Sequence, residues 1–244
     1  MSVEYSMFTD CGNREVNEDS IAYAEKNGAH CFVLCDGLGG HGKGDLASSF
    51  VTEFVIEYFK YSPNVDRFFN DVLDKAQNGL LVEQKRIGAR LEMKTTATVL
   101  VICGNKYRYA HIGDSRIYSF RKGKVIERTI DHSVPQMLVM AGDIKEKHIR
   151  RHPDRNKLLR VMGIEWENSK YEVCDVGELQ SGDAFLLCSD GFWEPVTEKE
   201  MCKALKKSDS TETWMNSMVE NARKNGAGTD MDNFSAIAVV YKEN

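Results

Sequence analysis

Four aspartates in this sequence lie at or beside the ends of apolar segments, where a buried strand would meet a loop. They are Asp36 after Phe32–Cys35, Asp114 between two β-branched segments, Asp190 after Phe185–Ser189, and Asp232 before the last apolar run. Strand ends of packed sheets can meet at one edge, and carboxylates gathered there repel one another unless a cation lies between them. Oxygen ligands of this kind select hard ions, Mg²⁺ or Mn²⁺. A single aspartate is more often a turn or capping residue, so the prediction depends on the recurrence.

The loop after Asp36 is unusually rich in glycine, with the sequence Gly37-Leu38-Gly39-Gly40-His41-Gly42. Glycine permits positive φ angles and lets the backbone approach a bound ion or phosphate closely. The simpler interpretation is an ordinary polar turn after a strand. The recurrence of carboxylates in similar settings favours the ion-binding interpretation.

Two other kinds of metal site are disfavoured by spacing. An EF-hand starting at Asp230 needs Gly at its sixth position and Glu at its twelfth, but these positions hold Ser235 and Tyr241. The seven cysteines are scattered and include no Cys-x-x-Cys pair, so a zinc site is not indicated. The cysteines are predicted to be small buried hydrophobic residues in a reducing compartment.

The overall composition is typical of a globular protein, with 42% hydrophobic and 28% charged residues among 244. With 32 Lys+Arg against 37 Asp+Glu, the net charge of −5 gives no indication of a nucleic-acid partner. No apolar run approaches the roughly 18 residues of a membrane helix. Residues 1–10 also lack the charged and apolar regions of a signal peptide. We therefore expect a cytoplasmic protein without membrane insertion.

The first half of the chain predicts three strands followed by two helices. The strands cover residues 1–12, 20–24 and 30–35, with a hairpin turn at Asn27-Gly28. Apolar residues at helical spacing predict helices over 45–61 and 65–91, separated by the breaker Ser62-Pro63-Asn64.

The second half returns to strand periodicity. Residues 95–102, 107–112, 115–120 and 124–130 predict an antiparallel meander, because their connections are too short for crossover helices. Residues 131–168 are irregular, with a short helix near 134–140, and are predicted to form an insert on the substrate side. The remaining predicted elements are strands at 169–176, 184–188 and 234–241 and helices at 197–206 and 211–224.

The order of these elements predicts an α+β fold. The simplest packing is a four-layer α-β-β-α sandwich, in which two antiparallel β-sheets are flanked by helix pairs. No linker or internal repeat divides the chain. We expect a single domain over residues 1–244.

Six motifs occur in an order that resembles the metal-dependent protein serine/threonine phosphatases of type 2C, in their bacterial form. The motifs are Arg14-x-x-Asn17-Glu18-Asp19, Asp36-Gly37-Leu38-Gly39-Gly40-His41, Thr95-Thr96-Ala97-Thr98, Gly113-Asp114-Ser115-Arg116, Ser189-Asp190-Gly191-Phe192-Trp193 and Asp232-Asn233-Phe234-Ser235. Within the insert, His132-Ser133 and the segment 152–156 are similar to the flap region of the family. One such motif is weak evidence, but six in order are specific.

The resemblance implies a metal centre. Asp36 would bridge two Mn²⁺ or Mg²⁺ ions, the Gly37 carbonyl oxygen would bind one of them, and Asp190 and Asp232 would bind the other. Asp114, with help from Asp190, would bind the third ion that many bacterial members contain.

The resemblance also implies roles around that centre. Glu18 would contact the metal cluster through water, and Arg14 would bind the substrate phosphate through its guanidinium group. Many family members carry a histidine two residues after the first aspartate, but here that position is Leu38. His41 is the candidate general acid; the alternatives are a loop histidine without a chemical role and protonation of the leaving group by water.

The expected activity is hydrolysis of phosphoserine and phosphothreonine in proteins by a metal-activated water. The resemblance implies phosphorylated proteins as partners, including a cognate bacterial serine/threonine kinase, and a monomeric enzyme. Two alternatives remain: a catalytically inactive relative that acts as a binding module, and a phosphatase dedicated to one regulator. The first is disfavoured because none of the acidic residues of the motifs is missing.

Overall fold

The computed structural model describes residues 2–39, 43–61, 65–69, 71–90, 92–166 and 170–243. The strands are β1 (Ser2–Asp10), β2 (Asp19–Lys26), β3 (Ala29–Leu38), β4 (Lys94–Thr95), β5 (Ala97–Cys103), β6 (Lys106–Ile112), β7 (Arg116–Arg121), β8 (Lys124–Arg128), β9 (Glu172–Val173), β10 (Gly177–Glu178), β11 (Ala184–Cys188) and β12 (Phe234–Lys242). The helices are α1 (Gly44–Tyr61), α2 (Val65–Phe68), α3 (Val72–Ile87), α4 (Val134–Ala141), α5 (Asp190–Trp193), α6 (Glu198–Lys207) and α7 (Thr211–Gly226), and a 3₁₀ helix covers Glu146–Arg151.

Within the described residues the strands form two antiparallel sheets. One sheet has the order β1-β12-β11-β7-β8, and the other has the order β10-β6-β5-β3-β2, with β4 paired to β3 and β9 paired to β6. The last strand, β12, lies between β1 and β11 and so joins the two ends of the chain. The sheets bring residues that are distant in sequence to common edges.

In the described part of the chain, three apolar cores separate four layers. Between the sheets, Phe32 and Leu34 of β3 pack in one cluster with Phe185 and Leu187 of β11. The residues that alternate with them on β3, including Val33, belong to a second cluster with α1 and α3. On the other side, β11 and β12 pack against α6 and α7 around residues such as Trp214. The predicted α-β-β-α sandwich is therefore confirmed.

The predicted single helix over 65–91 is wrong. The chain forms α2 and α3 instead, because Asp71 has a non-helical backbone (φ −148°, ψ −5°) and precedes the first turn of α3. Its carboxylate accepts a hydrogen bond from the Tyr58 hydroxyl at 2.7 Å and pairs with Lys75. The helix ends at Ile87, and the following Gly88 has a φ of +69°. Leu91 and the expected breaker at 62–64 lie outside the described residues.

The predicted four-strand meander is also wrong. The pair β5–β6 belongs to one sheet and the pair β7–β8 to the other. The chain crosses between the sheets at Gly113, whose φ of +100° is accessible to glycine and unfavourable for other residues. Short connections had indicated local pairing, but the left-handed turn directs the chain away from its previous partner.

Two smaller differences concern the second half of the chain. Only Glu172–Val173 of the predicted strand 169–176 pairs, with β6, and residue 169 lies outside the described ranges. In the insert, the short helix is confirmed as α4, which begins after Ser133, whose hydroxyl accepts the Gln136 N–H.

Among the described residues, no helix combines the length and apolar character needed to cross a bilayer.

Candidate active site

Two aspartates on neighbouring strands lie at the centre of the candidate site. Asp19 of β2 stands directly opposite Asp36 of β3 in the antiparallel register. The backbone of Asp36 is held by Thr96, whose N–H donates to the Asp36 carbonyl at 2.8 Å and whose hydroxyl accepts the Asp36 N–H at 2.9 Å. The strand continues to Leu38, where it pairs with β4, so the expected strand end at Asp36 is wrong. Asp36 therefore projects from a strand that is paired on both sides.

The predicted site residues that the structure describes meet at one cleft of about 640 Å³. Its walls include Arg14, Glu18, Asp36, Gly37, Asp114, Asp190 and Asp232. Asn156 and Leu158 of the insert also line it. The remaining candidate, His41, lies outside the described residues.

Asp114 reaches this cleft from the crossing between the two sheets. A Cβ atom on the preceding Gly113 would lie 2.5 Å from Thr96 Cγ2, so the turn requires glycine for space as well as for its φ angle. The Trp193 indole N–H donates to the Asp114 carbonyl oxygen at 3.0 Å. Asp114 is buried, and its position depends on both sheets and on α5.

Asp190 and Asp232 are brought together by a close contact between α5 and the start of β12. Asp190 is the first residue of α5, and a Cβ on the next residue, Gly191, would lie 2.2 Å from the Asn233 carbonyl oxygen. Glycine at this position therefore permits the approach of the two backbones. The Asp190 carboxyl also interacts with that of Asp36, so the carboxylates of three different elements form one group.

Burial and mutual repulsion make this group hold protons tightly. Burial and then the charge of Asp232 raise the pKa of Asp190 to about 6. The pKa values of Asp36 and Asp114 are raised well above their usual range, first by burial and then by neighbouring aspartates. Carboxylates that repel one another in this way are stabilised by a cation. The cleft-lining residues that the structure describes include no Cys or His, so the donor set fits Mn²⁺ or Mg²⁺.

Asp19 is a member of this group that the sequence prediction missed as a site residue. Burial raises its pKa to about 7, and its Oδ2 atom accepts a hydrogen bond from Ser189 at 2.8 Å. Its Oδ1 atom is buried without a hydrogen-bond partner in the described part of the chain. The two-residue turn at Asn27-Gly28 could have identified Asp19 from the sequence. This turn fixes the register of the β2–β3 hairpin, in which the numbers of paired residues sum to 55, so Asp19 lies opposite Asp36.

We expect the affinity of the protein for Mn²⁺ to rise as the pH is raised from about 5 to about 8. A raised pKa means that the carboxyl is protonated below that value, about 6 for Asp190 and about 7 for Asp19, and a cation must displace these protons. For each proton that the cation displaces, the affinity should fall about tenfold for every pH unit below the pKa of that carboxyl. Calorimetry in two buffers of different ionisation enthalpy measures both the affinity and the protons released. Equal Mn²⁺ affinity at about pH 5 and about pH 8 would contradict this prediction.

Arg14 lies at the rim of the cleft and is already paired. Its guanidinium donates to both carboxylate oxygens of Asp232, at 3.0 and 3.1 Å, and to Asp230 at 2.9 Å. Asp232, through hydrogen bonding and charge, raises the pKa of Arg14. A phosphate bound in the cleft would compete with two carboxylates for this guanidinium.

Glu18 is positioned by Asn233, a motif residue to which the sequence prediction gave no role. The Glu18 N–H donates to Asn233 Oδ1 at 2.8 Å, and Asn233 Nδ2 donates to the carbonyl oxygens of Cys11 and Val16. The Glu18 carboxylate accepts the Gly44 N–H at 3.2 Å, and burial raises its pKa. Asn233 thus ties the N-terminal loop to the strand that follows Asp232.

His111, His132 and Glu172 form a second titratable cluster behind Gly113. The two imidazole rings stack with centroids 4.8 Å apart. His132 Nδ1 accepts the Gly113 N–H at 3.1 Å, so the ring proton lies on Nε2, 3.3 Å from a Glu172 oxygen. Burial and then His111 lower the pKa of His132 to about 4. The hydrogen bond from Gly113 favours an uncharged clamp on this turn over a metal site, since it occupies the lone pair of His132 Nδ1 and leaves the proton on Nε2.

The family model for protein phosphatase 2C matches residues 11–234. The chain belongs to this family. The match contains all residues of the acidic cleft described above and every strand and helix from β2 to α7, but it leaves out β1 and all of β12 except its first residue. The family resemblance expected from the six motifs is therefore confirmed.

Individual relatives agree with this assignment. The chain is 31% identical over 242 residues to the serine/threonine protein phosphatase PstP of Mycobacterium tuberculosis, covering 98% of this chain and 46% of PstP. The chain therefore spans about half the length of that relative. It is 30% identical over 256 residues to the protein phosphatase PhpP of Streptococcus pneumoniae, covering 99% of this chain and 98% of PhpP. The solved structure of the PstP catalytic domain in complex with 2 manganese ions has a TM-score of 0.82, with 25% identity and 99% coverage of both chains.

Proposed function

We propose that this protein is an active, metal-dependent phosphatase that hydrolyses phosphoserine and phosphothreonine in proteins. The main support is the convergence of five carboxylates and an arginine on one cleft, Asp36, Asp114, Asp190, Asp232, Glu18 and Arg14. PstP and PhpP are named as protein phosphatases, the former acting on serine and threonine. An inactive binding module is disfavoured because the acidic set of the cleft is complete.

The residues that would hold the metal ions are those predicted from the sequence. Asp36 and the Gly37 carbonyl oxygen would bind on one side, Asp190 and Asp232 on the other, and Asp114 with Asp190 would bind a third ion. The PstP catalytic domain is described as a complex with 2 manganese ions, which supports a centre of at least two Mn²⁺ or Mg²⁺ ions. Bound ions of this kind lower the pKa of a water and neutralise charge on the phosphoryl group.

The side chains of the protein itself would orient the substrate and keep the carboxylates in place. The Arg14 guanidinium offers a fork that matches two phosphate oxygens, which a lysine does not. It reaches a phosphate by exchanging its bonds to Asp230 and Asp232 for bonds to the substrate. Thr96 and Trp193 hold the backbones of Asp36 and Asp114, so these two carboxylates need little rearrangement.

The insert is proposed to act as a flap over the cleft. Asn156 and Leu158 line the cleft, and Leu158 forms a bridge to Ser133 at the start of α4. Protonation of the leaving serine or threonine oxygen is assigned either to His41 or to water. A cognate bacterial serine/threonine kinase as partner and a monomeric state also belong to this proposal, on the strength of the family resemblance. A cytoplasmic location belongs to it as well, on the strength of the scattered cysteines, which are typical of a reducing compartment.

The proposed activity predicts metal-dependent release of phosphate from a phosphothreonine peptide. Purified protein with Mn²⁺ should hydrolyse the peptide, and excess EDTA should reduce the rate by more than about 100-fold, because no cysteine nucleophile lines the described part of the cleft. Phosphate release is measured colorimetrically, and re-addition of Mn²⁺ serves as the control for irreversible loss. Turnover that persists in EDTA would refute the proposal.

A further inference from the structure

A second, larger groove opens directly from the candidate active site. It has a volume of about 1,100 Å³ and shares Arg14, Asn156, Asp190 and Asp232 with the acidic cleft. Beyond these residues it runs between the end of the 3₁₀ helix on one side and α6 with the end of α7 on the other. A polypeptide whose phosphorylated residue occupied the cleft would have its flanking residues in this groove.

Among the described residues, six cationic side chains line the groove: Arg14, Arg150, Arg151, Arg155, Lys199 and Lys203. Three of them have acidic partners within the protein, since Arg14 pairs with Asp230 and Asp232, Arg150 with Glu198 and Arg155 with Glu194. Arg151, Lys199 and Lys203 are exposed and form no ion pair with any residue that the structure describes. These three define the cationic edge of the groove.

The acidic residues of the groove away from the cleft already have partners. Glu194 is paired with Arg155, and Asp230 with Arg14. Glu200 caps α6 by accepting from Thr197 and also accepts from Asn225. The partners of Glu200 are neutral, so its single negative charge stands against the three positive charges of the cationic edge. The edge therefore keeps a net positive charge, although the chain as a whole has a net charge of −5.

The geometry of the cationic edge suits an extended chain. Lys199 and Lys203 are four residues apart on α6 and therefore lie on the same face of the helix. Arg151 is the last residue of the 3₁₀ helix on the opposite wall. Acidic side chains at several positions along an extended peptide would meet cations from both walls.

We infer that this groove binds an acidic segment next to the phosphorylated residue of the substrate protein. The inference rests on the proposed function and adds a substrate preference to it. Exposed charge pairs are individually weak, so we expect the three cations together to contribute about a tenfold preference for acidic flanks. The preference should decrease as the ionic strength rises, because the pairs are solvent-exposed.

The test compares two phosphothreonine peptides that differ only in flanking residues, Asp and Glu in one and Ser and Gln in the other. Their ratio of kcat/KM is expected to be about ten for the wild-type protein. The triple variant Arg151→Glu, Lys199→Glu, Lys203→Glu should reduce this ratio to one or below. The matched control is Lys147→Glu, Lys207→Glu, Lys224→Glu, which makes the same change in net charge on the same 3₁₀ helix, on α6 and on α7, at exposed positions outside the groove.

The outcomes separate the groove from the proposed activity. A wild-type ratio near one, an unchanged ratio in the triple variant, or an equal fall in the control variant would each overturn the inference, while turnover of either peptide would still support the phosphatase. If neither peptide is hydrolysed, the proposed function fails. In that case, fluorescence anisotropy with the unphosphorylated acidic peptide tests whether the groove binds acidic segments. We expect binding to the wild-type protein that is weakened in the triple variant and unchanged in the control variant.

Discussion

Replacement of Asp190 by asparagine is expected to lower the rate of phosphothreonine-peptide hydrolysis by at least about 10³-fold, equivalent to about 4 kcal/mol of transition-state stabilisation. Asp190 interacts directly with the Asp36 carboxyl and electrostatically with Asp232. Its loss would remove a ligand shared by the proposed metal positions. The amide keeps the shape of the side chain, so the expected loss reflects charge and metal binding.

Folding stability and Mn²⁺ binding distinguish this result from misfolding. Because the pKa of Asp190 is raised to about 6, this carboxyl is ionised at about pH 8 and its charge destabilises the folded, metal-free protein. The neutral asparagine should therefore not reduce the stability of the metal-free protein at that pH. Calorimetry should show weaker Mn²⁺ binding. The control is Asp175→Asn, an exposed carboxylate outside the cleft. Metal-dependent turnover of Asp190→Asn within tenfold of the wild-type rate would contradict the assignment.

Replacement of Arg116 by alanine is expected to reduce the free energy of unfolding by about 3–5 kcal/mol. Arg116 donates to both carboxylate oxygens of Asp131, at 2.8 and 2.7 Å, and the side chains of the pair are only 3% and 1% exposed. Its guanidinium also lies 3.4 Å from the centre of the Trp193 ring. Alanine would leave the buried Asp131 carboxylate with only the longer contact to Arg128, at 3.5 Å, and would remove one face of the contact that holds Trp193.

Urea denaturation measures this effect, and two further variants establish its cause. Arg223→Ala breaks an exposed pair with Asp10, with side chains 58% and 32% exposed, and should cost less than about 1 kcal/mol. The double variant Arg116→Met, Asp131→Leu removes both charges and should be more stable than Arg116→Ala alone. A loss below about 1 kcal/mol for Arg116→Ala would show that the buried pair is not a major source of stability. Since Trp193 donates to the Asp114 carbonyl, a fall in activity should accompany the loss.

Local patterns in the sequence predicted most of the elements correctly. The amphipathic helices α1, α6 and α7, the strand β12 and the hairpin of β2 and β3 all depend on periodicity and turn residues that act over a few positions. The errors occurred where a distant contact overrode the local pattern. The helix predicted over 65–91 is interrupted at Asp71, where Tyr58 of α1 binds the carboxylate.

The candidate site divides in the same way. The residue types and their spacing predict the chemistry of the site, because acidic and glycine residues recur in motifs of a recognisable order. The hairpin turn at Asn27-Gly28 sets Asp19 opposite Asp36. Which of these residues meet depends on the packing of the sheets and helices. Asp114 joins the cleft because the chain changes sheets at Gly113, and Asp190 meets Asp232 because α5 contacts the start of β12 at Gly191. These are contacts between segments far apart in the chain, and they depend on how whole sheets pack, which no local periodicity encodes.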